Sequence, residues 1–230
     1  MRHRIVSGPQ GIVKRLDMAT LTRRERSRAT HQRIVEAAHR LFTSQGYAST
    51  TMGQVAEAAG VAVQTVYFVF HTKAALLAQA CDFAVMGKDT PRPPEEQPWY
   101  RAMDDAPGID EALRHLVAGV GDIMPRVIPL KLAARASDDP ELTRLMAESE
   151  ARRADGYRAI LEILRGKAPL RDGLDPERAT HLLLLYAGED VYHVLVDTYR
   201  WPHGDWIDWT VDTLLQQVFG RPLPANVSGP

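Results

Sequence analysis

Residues 51–73 read TMGQVAEAAGVAVQTVYFVFHTK, and this stretch constrains the chain more than any other. Thr51 followed three residues later by Gln54 predicts a capping box, in which the threonine hydroxyl accepts from the Gln54 N–H and the glutamine side chain returns a bond to the Thr51 N–H. A helix therefore starts at Met52. Val55, Ala56 and Ala59 give it a small apolar face, and Gly60 stands where the chain needs a positive φ to turn. Val61 fills the angle that follows. A second helix over about 63–70 turns Val66 and Phe70 inward at i, i+4, leaving Gln64, Thr65, Tyr67 and Phe68 on its outer faces. Two helices so joined, the second polar and aromatic on the outside, form the pattern of a helix-turn-helix that reads DNA.

The charge distribution points the same way. Residues 1–81 hold 11 Lys/Arg against the four acids Asp17, Glu25, Glu36 and Glu57, while residues 82–230 hold 17 against 25. The two sums, +7 and −8, return the chain's net charge of −1. A basic head on an acidic body suits a phosphate-binding part joined to one that does not touch DNA. Arg23, Arg24, Arg26 and Arg28 cluster just ahead of the reader and are placed to meet phosphate or a minor groove.

From about Arg28 to Ala80 the chain resembles the DNA-binding domain of the TetR family of transcriptional regulators. RIVEAAHRLFTSQGYASTT corresponds to the first helix and its turn, AEAAGVAVQTVYFVF to the reader, and TKAALL to the opening of the fourth helix. Gly46-Tyr47, Thr50-Thr51, Ala59-Gly60-Val61, Tyr67, Phe70, Lys73 and Leu76 fall at the family's spacings. Two departures stand out. Ala62 replaces the serine that often caps the recognition helix, a loss worth about 1 kcal/mol. Val63-Gln64-Thr65-Val66 replaces a common Lys/Arg-Gly-Thr-Leu run, which removes a positive charge from the DNA face.

The resemblance implies an all-α fold: an N-terminal three-helix DNA-binding domain and a C-terminal helical domain for ligand binding and dimerisation. It implies that Thr51, Tyr67 and Lys73 hold phosphates, that Gln64 and Thr65, with Met52, Val63 and Phe68, face base edges, and that Arg26, Arg28 and His71 complete the DNA-contacting set. Elementary chemistry agrees for two of these: an ammonium at a helix start suits a phosphate, and a glutamine amide pairs bidentately with adenine. The implied partners are palindromic double-stranded DNA, a second copy of the chain, and an apolar or amphipathic small-molecule effector. The implied role is a repressor that its effector releases. The alternative is a helical DNA-architectural or interaction protein with the same head and no small-molecule switch.

Domain bounds follow from the pattern: residues 1–22 a basic extension without regular structure, 23–81 the DNA-binding domain, 82–222 the helical body and 223–230 a flexible tail. A helix is predicted from Thr72 to about Met86. The segment GKDTPRPPEEQPWYRAMDDAPG carries too many prolines for regular structure and reads as a surface loop. Leu113, Leu116, Val117 and Val120 mark a helix over 110–124, which Pro125 and Pro129 kink or divide from a short segment ending at Ala136. Asp139-Pro140-Glu141 supplies a cap, a first-turn proline and an N-terminal acid for a long helix to about Arg165, and Asp175-Pro176-Glu177 repeats the signal. The last helices span about 176–199 and 204–219. Their excess apolar surface marks Leu182, Leu183, Leu185, Trp206, Leu214 and Val218 as the dimer interface. Effector walls are expected between the 72–86 helix, the 110–136 segments and the 140–165 helix: Phe83, Leu116, Val120, Met124, Leu132, Met146 and Tyr157.

Other functions find little support. Neither His-x-x-x-His nor Cys-x-x-Cys occurs, so no metal or cofactor is expected. There is no G-x-S-x-G elbow and no phosphate-cradling glycine loop, and an enzyme is not expected. Glu189-Asp190 are adjacent carboxylates that the dipole of a helix start explains. Cys81 lies on an apolar stripe with Leu77, Ala80 and Ala84, where a lone cysteine acts as a small hydrophobe. No secretory signal or membrane-spanning run is read, and the cytoplasm is the expected location.

Overall fold

A computed structural model describes residues 22–87 and 93–221. The expected extension over 1–22 lies outside the described residues except for Thr22, and so does the whole tail over 223–230. Every regular element among the described residues is helical. In chain order they are α1 (Arg23–Ser49), α2 (Met52–Ala59), α3 (Val63–Phe70), α4 (Lys73–Met86), a 3-10 turn (Pro94–Glu96), α5 (Pro98–Asp105), α6 (Ile109–Gly121), α7 (Met124–Arg135), α8 (Pro140–Arg165), α9 (Pro176–Tyr186), α10 (Glu189–Tyr192), a π-helical turn (His193–Thr198) and α11 (His203–Phe219).

Local chemistry sets the starts. Thr22 and Glu25 form a capping box for α1, and Thr51 and Gln54 form the one expected for α2. Asp139 caps α8 through the N–H groups of Glu141 and Leu142, and Asp175 caps α9 through that of Arg178. Gly46 at φ 79° breaks α1 near its end. Gly60, at φ 65° and ψ 43°, makes the left-handed turn between α2 and α3, a conformation in which a Cβ would meet the following carbonyl.

Three expectations change. The proline-rich segment is not all loop, since α5 runs from Pro98 to Asp105 and buries Met103 completely. Pro98 sits in the first turn, where a missing N–H costs nothing, so counting prolines misled where their positions did not. The division before the short segment falls at Asp122 and Ile123, just ahead of the prolines: Pro125 lies in the first turn of α7, and Pro129 sits inside that helix without ending it. The helix expected over 176–199 is interrupted at Ala187 and Gly188, and resumes as α10 and the π turn.

Two apolar cores organise the chain. One contains Met103, Leu113, Leu116, Ile160, Leu164, Leu183, Trp206 and Leu214 and fills the body from α5 to α11. The other contains Ile34, Phe42, Val55, Val66, Phe70, Leu76 and Leu77 from the head, together with Val127, Leu130, Ala134 and Leu142 from α7 and α8. Packing therefore crosses the expected boundary at residues 81 and 82. Among the described residues no helix is long and apolar enough to cross a membrane.

Candidate nucleic-acid interface

Helix α3 is held from within by Val66 and Phe70, at 0 % and 4 % exposure. Ala62, the residue just ahead of it, makes no side-chain cap, so packing and the backbone bond from the Thr65 N–H to the Ala62 carbonyl fix the helix start. The opposite face is open: Phe68 is 83 % and Tyr67 51 % exposed, Gln64 is exposed, and Thr65 is half-buried. Val63 is half-buried against the head core. His71 closes the helix at φ 60° with its side chain in solvent.

Met52 departs from its expected role. Its side chain is only 5 % exposed and packs into the head core, so it has no reach to a base edge. Thr51 is exposed, and its hydroxyl accepts from the Gln54 N–H at 3.2 Å. Lys73, the first residue of α4, donates from Nζ to the Tyr47 carbonyl at 2.9 Å and sits 4.2 Å above the Tyr47 ring. An ammonium has three donors, so this bond still leaves N–H groups for an anion. Arg23, Arg24, Arg26 and Arg28 occupy the first two turns of α1, all exposed, with Glu25 the only acid among them. Cations at the positive end of a helix dipole are unfavourable, by roughly 0.3–1 kcal/mol each, unless an anion offsets them.

The head is bonded to the body through pairings that sequence spacing did not announce. Tyr47 Oη donates to Asp139 Oδ2 at 2.7 Å, while Oδ1 of the same carboxylate caps α8. The bond from Tyr47 holds the Asp139 carboxyl below its ordinary value, and burial followed by this carboxylate pushes the Tyr47 phenol up. Thr72 Oγ1 donates to Glu141 at 3.1 Å, and His39 Nε2 lies 3.1 Å from the Arg126 carbonyl. Asp139 was legible as a cap. Its second oxygen was not, because Tyr47 is 92 residues away in sequence.

The seven expected effector-wall residues do not come together. Phe83 belongs to the head core, Leu116, Val120, Met124 and Tyr157 belong to the body core, and Leu132 is 40 % exposed. Met146 alone of the seven lines a cleft of about 530 Å³ between α7, α8, α9 and α10. Ala134, Leu142, Leu184 and Leu185 form its apolar wall; Lys131, Arg135, Glu150, Arg153, Glu189 and Asp190 form its charged one. Glu189, only 8 % exposed, accepts from Lys131 at 2.7 Å and from Arg153 at 2.5 Å. Lys131 also reaches Glu150, and Arg135 reaches Asp190. Burial pushes the Glu189 carboxyl up, but Arg153 and Lys131 outweigh burial and leave it below its ordinary value. The pair Glu189-Asp190 thus answers cations on α7 and α8 rather than a helix dipole alone.

The dimer residues also divide. Leu183, Trp206, Leu214 and Val218 are 0 % exposed inside the protomer's own core, so they are not interface residues in this fold. The apolar excess of α9 is absorbed by the body it packs on. Leu182 is half-buried and Leu185 is 50 % exposed. Beside them lie partly exposed aromatics: Tyr186 and Trp201 each pack edge-on to Trp209, with ring centroids 6.1 and 6.0 Å apart. Cys81 is buried, and burial above all pushes its thiol up to about 12, which leaves essentially no thiolate at neutral pH.

Comparison with known proteins bears on both halves. Residues 34–80 match the family profile described as bacterial regulatory proteins, tetR family. The HTH-type transcriptional regulator AcrR of Shigella flexneri is 40 % identical over 62 residues, an alignment that spans 27 % of this chain and 28 % of that protein. The solved structure of NalD from Pseudomonas aeruginosa, the secondary repressor of the MexAB-OprM multidrug efflux pump, superposes with a TM-score of 0.58 at 22 % identity, covering 85 % of this chain and 98 % of that one. The transcriptional regulator FadR of Bacillus subtilis, solved in complex with stearoyl-CoA, superposes with a TM-score of 0.62 at 17 % identity, covering 80 % of this chain and 97 % of that one. Residues 34–80 are thus similar to the bacterial regulatory proteins of the tetR family, and the helical body behind them takes the fold of these solved regulators.

Proposed function

We propose that this protein is a dimeric, sequence-specific DNA-binding regulator of transcription, a repressor released by a small molecule and not an enzyme, acting in the cytoplasm. The observation that carries the reading is the outer face of α3, where Gln64, Tyr67 and Phe68 stand in solvent, in a head whose α1 opens on four exposed arginines. Gln64 and Thr65 read base edges; Thr51, Tyr67 and Lys73, with Arg26, Arg28 and His71, hold phosphates. Selection of duplexes from a random pool by the full chain tests this. A two-fold-related pair of half-sites is expected, and a pool that stays unenriched over nonspecific binding overturns it.

Dimerisation uses the exposed edge of α9 and α11, around Leu185, Tyr186 and Trp209. A charged residue at Leu185 or Trp209 yields folded monomers with operator affinity reduced by about 10²–10⁴-fold, because joined half-sites raise each other's effective concentration. Sedimentation reads the mass, and an unchanged dimer excludes this edge.

The cleft beside Met146 supports the effector, since about 530 Å³ falls within the roughly 300–1,000 Å³ of small-molecule sites. NalD and FadR are regulators of this fold, and FadR holds stearoyl-CoA. One observation favours the alternative of a DNA-binding protein with no such switch: the charges of the cleft pair with one another, leaving a charged ligand little to meet. Titration of a thermal-shift hit with and without operator DNA separates the two, because a releasing ligand binds more weakly to the DNA complex by the factor through which it weakens DNA binding.

A further inference from the structure

The sequence of α3, VQTVYFVF, contains no Arg, Lys, Asp or Glu. Guanine is read most often by Arg or Lys on O6 and N7, and cytosine by a carboxylate accepting from N4. Helix α3 offers neither. It offers one amide, Gln64, whose side chain is exposed and bonded to nothing else among the described residues, and one phenyl ring, Phe68, more exposed than any other large hydrophobic side chain described, at 83 %. The two are four residues apart and share one face of the helix. Thr65 stands between them, half-buried.

In the major groove an amide of this kind pairs with adenine N6 and N7, and an apolar group contacts the C5-methyl of thymine. We infer that α3 selects A·T pairs, with Phe68 set on a thymine methyl beside the adenine that Gln64 holds. The inference rests on the DNA-reading role of the head and adds which base chemistry that role uses. DNA rather than a protein partner is the occupant because the ring belongs to a basic head. Residues 22–81 carry seven Lys/Arg against the three acids Glu25, Glu36 and Glu57. No acid lies in α3 or its flanking turns. A thymine methyl removes the ring from water without asking for a hydrogen bond in return, which no other major-groove edge does.

The test exploits uracil, which pairs as thymine does and lacks only the methyl group. Sites selected from a random pool by the full chain are synthesised with each thymine replaced by uracil in turn. The expected result is an A·T core in each half-site and one position per half-site where uracil weakens wild-type binding on the order of tenfold. Phe68→Ala then binds the thymine and uracil forms alike, while Phe68→Leu keeps part of the preference. Both variants should melt with the wild type, since the ring supports no core. A G·C core, or wild-type binding that ignores the methyl at every position, overturns the inference and leaves DNA reading intact; a ring wedged between base steps, or one that meets a protein, belongs to that outcome. Failure to select any sequence overturns both.

Discussion

The outer face of α3 and the cleft between α7, α8, α9 and α10 both offer polar groups to a partner, and they do so in opposite states. On α3 the charges are absent and the polar and aromatic groups stand unengaged in water. In the cleft charges are abundant and already joined: Glu189 to Lys131 and Arg153, Lys131 to Glu150, Arg135 to Asp190. A surface that must recognise a partner keeps its valences open. One that closes its own valences acts as structure first, and a ligand there gains from apolar contact or from replacing a pair it can match.

Substitutions break that contrast in order of effect. Glu189→Ala leaves Lys131 and Arg153 with the half-exposed Glu150 as their one shared anion, so the loss approaches but stays under the about 3–5 kcal/mol of an isolated buried pair that loses one partner. Denaturant unfolding of the variant should show this loss, while its base preference stays that of the wild type. Because the folded carboxyl titrates below 4.5, its contribution is complete above that value and is lost as pH falls through the lower folded one. The gap between wild type and Glu189→Gln should therefore close as pH falls below 4.5; a gap that is constant from pH 7 to pH 3 would mean the pairs contribute nothing.

Gln64→Ala tests the other region. Its unfolding curve should match the wild type, while discrimination at particular base pairs falls by about 1–3 kcal/mol. A uniform loss across all sequences would instead make Gln64 a backbone contact. Lys73→Ala sharpens the division within the head: binding weakens on every sequence, and the slope of log affinity against log salt flattens by about 0.9. Smallest is Ala62→Ser, which returns a cap to α3 and should raise stability by about 1 kcal/mol. If it raises stability and leaves base preference untouched, the start of α3 is set independently of what the helix reads.

Features fixed by neighbours in sequence were legible in it. The Thr51–Gln54 box, the turn at Gly60 and the two Asp-Pro-Glu starts all appear where spacing placed them, since each depends on groups within a single turn. The inner and outer sides of α3 follow from the same short range. Choices made by distant residues were not legible. Trp206, Leu214 and Val218 looked surplus to one protomer because the length of apolar surface waiting on α6 and α9 cannot be counted from α11 alone. Met52 looked free because the head core that buries it is assembled from helices on both sides of α2, and spacing within α2 does not show how they close over it. The cleft's ion pairs join residues up to 58 positions apart, and no local spacing announces them.

The bonds between head and body have a mechanical consequence. Tyr47 to Asp139 and Thr72 to Glu141 tie the turns before α2 and α4 to the first turn of α8, while Val127, Leu130 and Leu142 continue the head core into the body. A join with both polar bolts and shared packing resists bending at residue 81. Head and body turn together, like the short and long arms of a lever. In the dimer proposed through the α9–α11 edge, rotation there would set the distance between two copies of α3, with the length of the body as the multiplier. A mutation that cuts Tyr47 from Asp139 shortens that lever without touching either α3 or the cleft.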